Sequence, residues 1–227
     1  MGKAPASILV TGASRGIGLG LVRHFLQWTD VKHIFAAART PDTAEELKTL
    51  ATKDRRLHLI ALDVQNDASI AKAVGRIVGE TGLTVLVNNA GVFENYDFES
   101  LANRLQLTRQ FDINTVSPII LSQAFFPLLL KAAEANASEV VGIGRAAILN
   151  ISSGAASIGD NTTGSGRFKS IAYRMSKAAL NQLTKTLSID YKDKGLLVVS
   201  FCPGWVKTDM GSQNAAITVQ PPLLHAL

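Results

Sequence analysis

The chain has 227 residues and a formal net charge of +5, with 47% hydrophobic and 18% charged residues. This length suits one α/β domain, and the composition excludes a disordered chain. The basic excess is spread along the sequence without a dense run, which argues against a nucleic-acid-binding module. The single Cys202 excludes an intramolecular disulfide and a cysteine-based metal cluster. We expect Cys202 to be a small buried residue beside a strand.

The N-terminal residues 1–6 lead directly into an apolar strand, without the longer apolar region of a secretory signal. The longest apolar runs, such as residues 125–130, are far shorter than the roughly 20 residues of a membrane span. The four histidines are scattered without the spacing of metal ligands. These features predict a cytoplasmic protein with no metal site and no membrane partner.

Short β-rich segments alternate with segments of helical periodicity along the whole chain. The predicted strands are residues 8–10, 33–37, 57–61, 85–87, 147–151 and 197–201. The predicted helices are residues 17–28, 44–51, 68–80, 111–135 and 172–192. This alternation predicts an α/β fold in which residues 1–227 form a single Rossmann-type domain, a doubly wound parallel sheet with helices on both faces.

Right-handed crossovers would bring the carboxyl ends of all these strands to one edge of the sheet, where open α/β sheets bind ligands. One segment interrupts the alternation, because residues 157–169 are polar, glycine-rich and without periodicity. A loop of this length in a compact domain is either a lid that borders a site or a surface loop without function.

A glycine-rich turn, T-G-A-S-R-G-I-G, follows the first strand and opens the first helix. Glycine allows a tight turn and close approach of a pyrophosphate, which then meets the helix N-terminus. Taken alone, the turn could equally join a strand to a helix with nothing bound. The predicted cofactor contacts in this turn are Gly12, Ser14, Arg15, Gly16, Ile17 and Gly18.

The second and third predicted strands each end in a charged residue. Arg39 lies about 20 residues beyond the glycine-rich turn, where an arginine suits the 2′-phosphate of NADP. Arg15 and Arg39 together therefore predict NADP, although either could be a solvated surface charge. Asp63, followed by Val64, is a candidate partner of the adenine amino group, and its alternative role is to start the next helix.

The fourth strand is followed by N-N-A-G. Paired asparagine side chains can bond neighbouring backbone, so we assign Asn88 and Asn89 a structural role first. A second role, facing the cofactor, is predicted for Asn89, Ala90 and Gly91.

Tyr173 and Lys177 are four residues apart on a predicted helix, so their side chains share one face. A phenol has an ordinary pKa near 10, and a nearby ammonium is expected to lower it by ~1–3 units. Tyr173 would then protonate a carbonyl oxygen as hydride arrives. This spacing is common on helices, but here N-I-S-S at the end of the fifth strand accompanies it.

The motifs T-G-A-S-R-G-I-G, N-N-A-G, N-I-S-S, Y-R-M-S-K and P-G-W-V-K-T, in this order over residues 7–216, resemble the short-chain dehydrogenase/reductase family. Within it, A-Y-R-M-S-K-A-A-L-N, F-C-P-G-W-V-K-T-D-M-G and the insert before the tyrosine are most similar to sniffer-type carbonyl reductases and bacterial C-factor proteins. The resemblance implies an NADP(H)-dependent enzyme that reduces aldehyde, ketone or quinone carbonyls to alcohols.

The same resemblance assigns roles to individual residues. Tyr173 would be the proton donor, and Lys177 would tune it and hold the nicotinamide ribose. Ser153 would bond the substrate oxygen, with Ser152 as the alternative, and Asn114 would anchor a water chain that resupplies protons. The residues bordering the nicotinamide would be Pro203, Gly204, Val206 and Thr208.

The resemblance stops after residue 219, where the family continues into a last helix and strand that we expect to be missing here. It implies a homodimer through the helices that hold Asn114 and Tyr173, with a tetramer as the alternative. A rival interpretation is a signalling protein on the same scaffold, in which a partner reads out NADP binding.

Overall fold

The computed structural model describes residues 3–77 and 82–219. Its strands are β1 (Ser7–Thr11), β2 (His33–Ala38), β3 (Leu57–Ala61), β4 (Val85–Asn88), β5 (Ala147–Ile151) and β6 (Leu197–Phe201). They form one sheet in the order β3-β2-β1-β4-β5-β6, and every neighbouring pair is parallel. All six predicted strands and the predicted α/β fold class are confirmed.

The helices are α1 (Gly16–Leu26), α2 (Glu45–Lys53), α3 (Asp67–Arg76), α4 (Arg104–Phe111), α5 (Ser117–Ala135) and α6 (Ile171–Asp190). A π-helical turn, Asp112–Val116, joins α4 to α5. The long helix predicted at residues 111–135 therefore begins earlier, at Arg104, where the Asn103 side chain accepts a hydrogen bond from the Gln106 amide at 3.1 Å. Of the helix predicted at residues 68–80, residues 78–80 lie outside the described part of the chain.

Both faces of the sheet are covered by apolar helix faces. Phe25 of α1 is buried on one face with β1 residues Ile8 and Val10, and Phe125 of α5 is buried on the other with Leu9. Alternate residues of β1 thus enter different halves of the core, as the pleat of a strand requires. Burying each aromatic ring stabilises the fold by about 1.5–3 kcal/mol.

The continuous helical segment Arg104–Ala135 is long and apolar enough to cross a membrane, judged by length and composition alone. The sequence expectation rested on uninterrupted apolar runs such as residues 125–130, which lie within this segment and are each too short to span a membrane. Leu121, Phe125 and Leu129 are buried against the sheet, which accounts for the apolar character of the helix.

The strand order reverses between β1 and β4, so the crevice at their carboxyl ends is the place where a doubly wound sheet binds its ligand. The glycine-rich turn follows β1 and N-N-A-G follows β4. Ser152 and Ser153 follow β5, and residues 202–208 follow β6. The fold therefore places the sequence motifs along a single edge.

Candidate active site

The glycine-rich turn packs closely against the N-N-A-G turn. Gly12 has a φ of +64°, and a Cβ added to it would lie 2.9 Å from the Ala90 Cα atom. A Cβ on Gly18 would overlap the carbonyl oxygen of Gly12. Larger residues at these two positions would displace backbone, so the turn keeps the close approach that a pyrophosphate needs.

Thr11, which the sequence analysis did not single out, joins the two turns. Its hydroxyl donates to the Val87 carbonyl at 3.2 Å and accepts from the backbone amides of Asn89 and Ala90 at 3.0 and 3.1 Å. The Asn89 side chain donates to the carbonyls of Thr11 and Gly12 at 2.8 and 3.2 Å. These bonds fix the spacing of the turns and agree with the structural role proposed for Asn89.

Asn88 belongs to a buried polar ladder between sheet and helices. Its amide donates to the Asn150 Oδ1 atom at 2.8 Å, and Asn150 donates to the Thr184 hydroxyl of α6 at 2.9 Å. A weaker bond of 3.3 Å joins Asn88 to Ser122 of α5. Asn88 and Asn150 are both fully buried, so this ladder holds β4, β5, α5 and α6 at fixed distances.

The two predicted NADP arginines have different surroundings. Arg15 directly precedes α1 without a capping side-chain bond, and it forms an ion pair of 2.7 Å with Asp209, while both side chains remain largely exposed. Arg39 is exposed and makes no hydrogen bond or ion pair to any residue within 3–77 and 82–219. Thr208 lies beside the turn, because a Cβ on Gly16 would lie 3.2 Å from its Cγ2 atom.

Asp63 stands at the carboxyl end of β3, where its Oδ1 atom accepts from the Gln65 amide at 3.1 Å. The alternative role as the start of the next helix is wrong, because Asn66 caps α3 by accepting from the Ser69 amide at 2.9 Å. Val64 is partly buried and packs against the core. Asp63 therefore remains available at the predicted adenine end.

Tyr173 lies in the first turn of α6, and the Ser153 side chain lies beside its phenol. The Phe93 ring packs edge-on against it, with 5.0 Å between ring centroids. Burial raises the pKa of Tyr173, the nearby Ser153 hydroxyl opposes this rise, and the neighbouring Cys202 raises the pKa further. Tyr173 is therefore protonated at neutral pH and is a weaker acid than a free phenol.

Lys177 is buried, and its Nζ atom donates to the Ile151 carbonyl at 2.7 Å. The same atom lies 5.9 Å from the centroid of the Tyr173 ring. Burial lowers the pKa of Lys177 to about 8. The expected lowering of the Tyr173 pKa by Lys177 does not occur in this arrangement. The Lys177 ammonium points to the Ile151 carbonyl, and burial has the largest effect on the pKa of Tyr173.

The two adjacent serines face different neighbours. Ser152 is buried and donates to the Asn181 Oδ1 atom at 2.6 Å. Ser153 accepts a bond from the Ala155 amide at 3.1 Å, and its hydroxyl lies beside the Tyr173 phenol. Only the second serine therefore stands beside the phenol, at the position favoured for bonding a substrate oxygen.

Asn114 is fully buried inside the π-helical turn. Its side chain accepts from the Val92 amide and donates to the Val92 carbonyl, both at 2.9 Å, and donates to the Ser176 hydroxyl at 3.1 Å. A Cβ on Gly91 would lie 3.3 Å from the Asn114 Oδ1 atom and 3.7 Å from the Lys177 Nζ atom. Asn114 and Lys177 therefore lie beside Gly91, and Tyr173 lies beside Phe93, in the segment that follows β4.

The expectation that Cys202 is buried is wrong. Cys202 is exposed, and its Sγ atom accepts from the Gly154 amide at 2.9 Å and from the Gly204 amide at 3.4 Å. The chain leaves β6 at this residue, and the loop that follows bends back so that the Gly204 amide meets the same thiol. Cys202 joins the loop of Ser153 to the loop that begins at Pro203.

The remaining predicted nicotinamide residues lie in that second loop. Val206 is buried and pairs with Ile217 in a short parallel bridge. The Thr208 hydroxyl accepts from the Gly211 amide at 3.0 Å. These contacts close the loop on itself, and the ion pair between Arg15 and Asp209 joins it to the glycine-rich turn.

Residues 157–169 contain one short 3-10 turn, Gly166–Phe168, as their only regular element. The end of this loop is fixed by a bond of 2.8 Å from the Tyr96 amide to the Lys169 carbonyl and by an ion pair between Lys169 and Asp97.

Among residues 3–77 and 82–219, the structure holds no group of three side chains able to bind a metal ion.

A family model described as short chain dehydrogenase matches residues 6–217. An uncharacterized oxidoreductase, C663.06c, of Schizosaccharomyces pombe is 30% identical over 95% of this chain and 80% of its own length. The carbonyl reductase Sniffer of D. melanogaster is 42% identical, with a TM-score of 0.89 over 95% of this chain and 87% of that one. An NADPH-bound carbonyl reductase from chicken fatty liver is 40% identical, with a TM-score of 0.89 over 96% and 84% of the two chains.

Proposed function

Because the chain belongs to the short chain dehydrogenase family, we propose that it is an NADP(H)-dependent oxidoreductase that reduces aldehyde, ketone or quinone carbonyls to alcohols. The observation that carries this proposal is the pairing of Tyr173 with Ser153 at the crevice edge, beside buried Lys177 and the glycine-rich turn. The similarity to an NADPH-bound carbonyl reductase supports the same class of reaction and the same cofactor.

The residues at the crevice fit a dinucleotide. The close contact between Gly12 and Ala90 leaves a cradle that any Cβ would fill, at the N-terminus of α1. Arg15 and unpaired Arg39 offer positive charge for a 2′-phosphate. The other residues proposed to hold NADP(H) are Ser14, Gly16, Ile17, Gly18, Asp63, Val64, Asn89, Gly91, Tyr173, Lys177, Pro203, Gly204, Val206 and Thr208.

When bound, the nicotinamide supplies the hydride, and the protein supplies orientation and a proton. Ser153 donates a hydrogen bond to the carbonyl oxygen and sets its position next to Tyr173. The Tyr173 phenol, whose pKa is raised by burial, transfers its proton to that oxygen. Lys177 holds the ribose and returns the proton to Tyr173, and Asn114 fixes the backbone of Val92 on the path to solvent.

This function is tested by following NADPH oxidation, with NADH in parallel, against aldehydes, ketones and quinones. Tyr173→Phe removes only the proton donor, so turnover should fall by about 10²–10⁴-fold. Tyr191→Phe, at the far end of α6, is the matched control and should keep its activity. Equal turnover in unsubstituted protein and Tyr173→Phe would reject the proposed acid, and tight NADPH binding with no turnover would favour the signalling interpretation.

A homodimer is proposed through the helices that hold the catalytic residues. Leu105, Val116 and Ile119 on the α4–α5 segment and Met175 and Ile189 on α6 are exposed apolar side chains. Such a surface gains stability when a second copy covers it. Sedimentation equilibrium should give a dimer mass, and Val116→Asp should shift it to the monomer; a monomer mass for the unsubstituted protein would reject this assembly.

A further inference from the structure

The rim of the crevice carries two aromatic pairs. Phe93 packs against Tyr173 with 5.0 Å between centroids, and Phe168 meets Trp205 at 5.7 Å with the rings nearly perpendicular. Phe168 and Trp205 are 45% and 40% exposed, although both are large apolar side chains. This partial exposure leaves ring surface that a flat substrate would cover.

The Phe168–Trp205 contact joins two loops that lead along the chain to the catalytic residues. Phe168 stands five residues before Tyr173, in the loop that leads into α6. Trp205 stands three residues after Cys202, whose thiol is bonded to the amide next to Ser153. The two rings therefore connect the loops on either side of the phenol and the serine.

Two arginines accompany these rings. The Arg167 guanidinium lies 4.7 Å from the centroid of the Phe168 ring. Arg174, which follows Tyr173, donates to the hydroxyls of Ser170 at 3.1 Å and Thr163 at 3.4 Å. Neither arginine has an acidic partner among residues 3–77 and 82–219, so their charges are not neutralised within the rim.

Most acidic side chains of the surrounding loops have partners, but Glu99 is exposed and forms no ion pair among the described residues. Asp97 is paired with Lys169, Asp209 is paired with Arg15, and Asp160 accepts a bond from the Ser157 hydroxyl at 3.1 Å. Beside the aromatic surface itself, Arg167 and Arg174 therefore keep charges that no acidic partner among the described residues neutralises. An anionic group placed next to these two arginines would be attracted and a cationic one repelled.

The geometry points to a substrate class within the proposed carbonyl reduction, on which this inference rests: an aromatic carbonyl compound that carries an anionic substituent such as a carboxylate. Its ring would lie against Phe168 and Trp205, with the carbonyl group at Tyr173. The anionic group would then lie at the outer rim, where Arg167 offers a planar donor fork that matches a carboxylate. Because this rim is solvent-exposed, the preference is modest and depends on salt.

The probes are 4-formylbenzoate and its methyl ester, which share the ring and the reacting aldehyde and differ in charge. At low salt, Arg167→Gln and Arg174→Gln should each lower kcat/KM for the carboxylate by about two- to fivefold relative to the ester. Lys185→Gln, an exposed cation elsewhere on α6, is the matched control and should leave the carboxylate-to-ester ratio unchanged. Raising the ionic strength to about 0.5 M should lower the carboxylate-to-ester ratio of kcat/KM measured with the unsubstituted protein toward the ratio measured with the arginine variants.

Ester turnover reports on the proposed function and the carboxylate-to-ester ratio reports on this inference, so the two can fail separately. A ratio that is equal in the unsubstituted protein and in both arginine variants would overturn the inference while carbonyl reduction stands. If neither probe is turned over, calorimetric binding of 4-hydroxymethylbenzoate and its methyl ester decides instead. Tighter binding of the carboxylate that is lost in Arg167→Gln would support the inference, and equal binding would overturn it.

Discussion

Replacing Lys177 with methionine should change how the stability of the protein depends on pH. The Lys177 side chain is 5% exposed, and burial lowers its pKa from the ordinary 10.5 to about 8. Between these two values the unfolded chain still holds the proton that the folded chain has released. The free energy of unfolding should therefore rise with pH across this window, and the penalty of burying the charge is fully present below it.

The size of the effect follows from the two pKa values. Between about pH 7.5 and 9.5, the linkage relation gives the lysine-containing protein a gain of about 2 kcal/mol that the methionine variant lacks. Urea unfolding at both pH values measures this gain. Tyr173 titrates at higher pH beside Lys177, so both proteins are best compared in a Tyr173→Phe background.

Lys185→Met is the control, because this lysine is exposed on the same helix and should show no such gain. If the unfolding free energies of the Lys177 protein and its methionine variant run parallel with pH, Lys177 keeps an ordinary pKa, and the argument from burial fails. In that case the bond to the Ile151 carbonyl, at 2.7 Å, offsets the desolvation of the ammonium.

Three further perturbations test other parts of the site. Cys202→Ala removes the acceptor of the Gly154 amide and should raise KM more than it lowers kcat in steady-state kinetics. Cys202→Ser keeps an acceptor and should restore most of the kcat/KM that the alanine variant loses. Asn150→Ala breaks the buried ladder and should lower the free energy of unfolding by about 2–4 kcal/mol, measured by urea unfolding; a loss below about 0.5 kcal/mol would contradict the ladder. Asp209→Asn releases Arg15 and should tighten NADPH binding about two- to threefold in fluorescence titrations while leaving NADH binding unchanged; equal effects on both would exclude Arg15 from the 2′-phosphate site.

The strands and the order of the motifs could be predicted because their determinants are local. β-Branched and apolar runs mark the buried strands, and glycine marks the turns where backbone must come close, as at Gly12. Helix α4 was missed because its sequence, R-L-Q-L-T-R-Q-F, has no apolar stripe, and only Gln110 of this helix is buried. Sequence periodicity does not report a helix whose apolar side chains face solvent.

Other features depend on contacts between distant parts of the chain. The ion pair between Arg15 and Asp209 joins residues 194 positions apart, and no local pattern predicts it. The exposure of Cys202 follows from the bend of the loop after β6, because residue type alone favours burial. The direction of the Tyr173 pKa shift likewise follows from burial and from the orientation of Lys177, which spacing on a helix does not determine.

The π-helical turn Asp112–Val116 holds Asn114, which bonds Val92, and precedes Leu121 and Phe125, which pack against the sheet. It therefore fixes the length of the chain between these two sets of contacts. A π turn accommodates one residue more than an α-helical turn. Deleting a residue here would restore a regular α-helix and close the widened turn around Asn114, while the helix faces before and after the turn would stay nearly unchanged. Asn114 would then leave Val92, although Leu121 and Phe125 would still face the sheet. Substitutions in this turn should be tolerated better than a change in the number of its residues. Insertions and deletions should therefore be far less tolerated here than in residues 157–169.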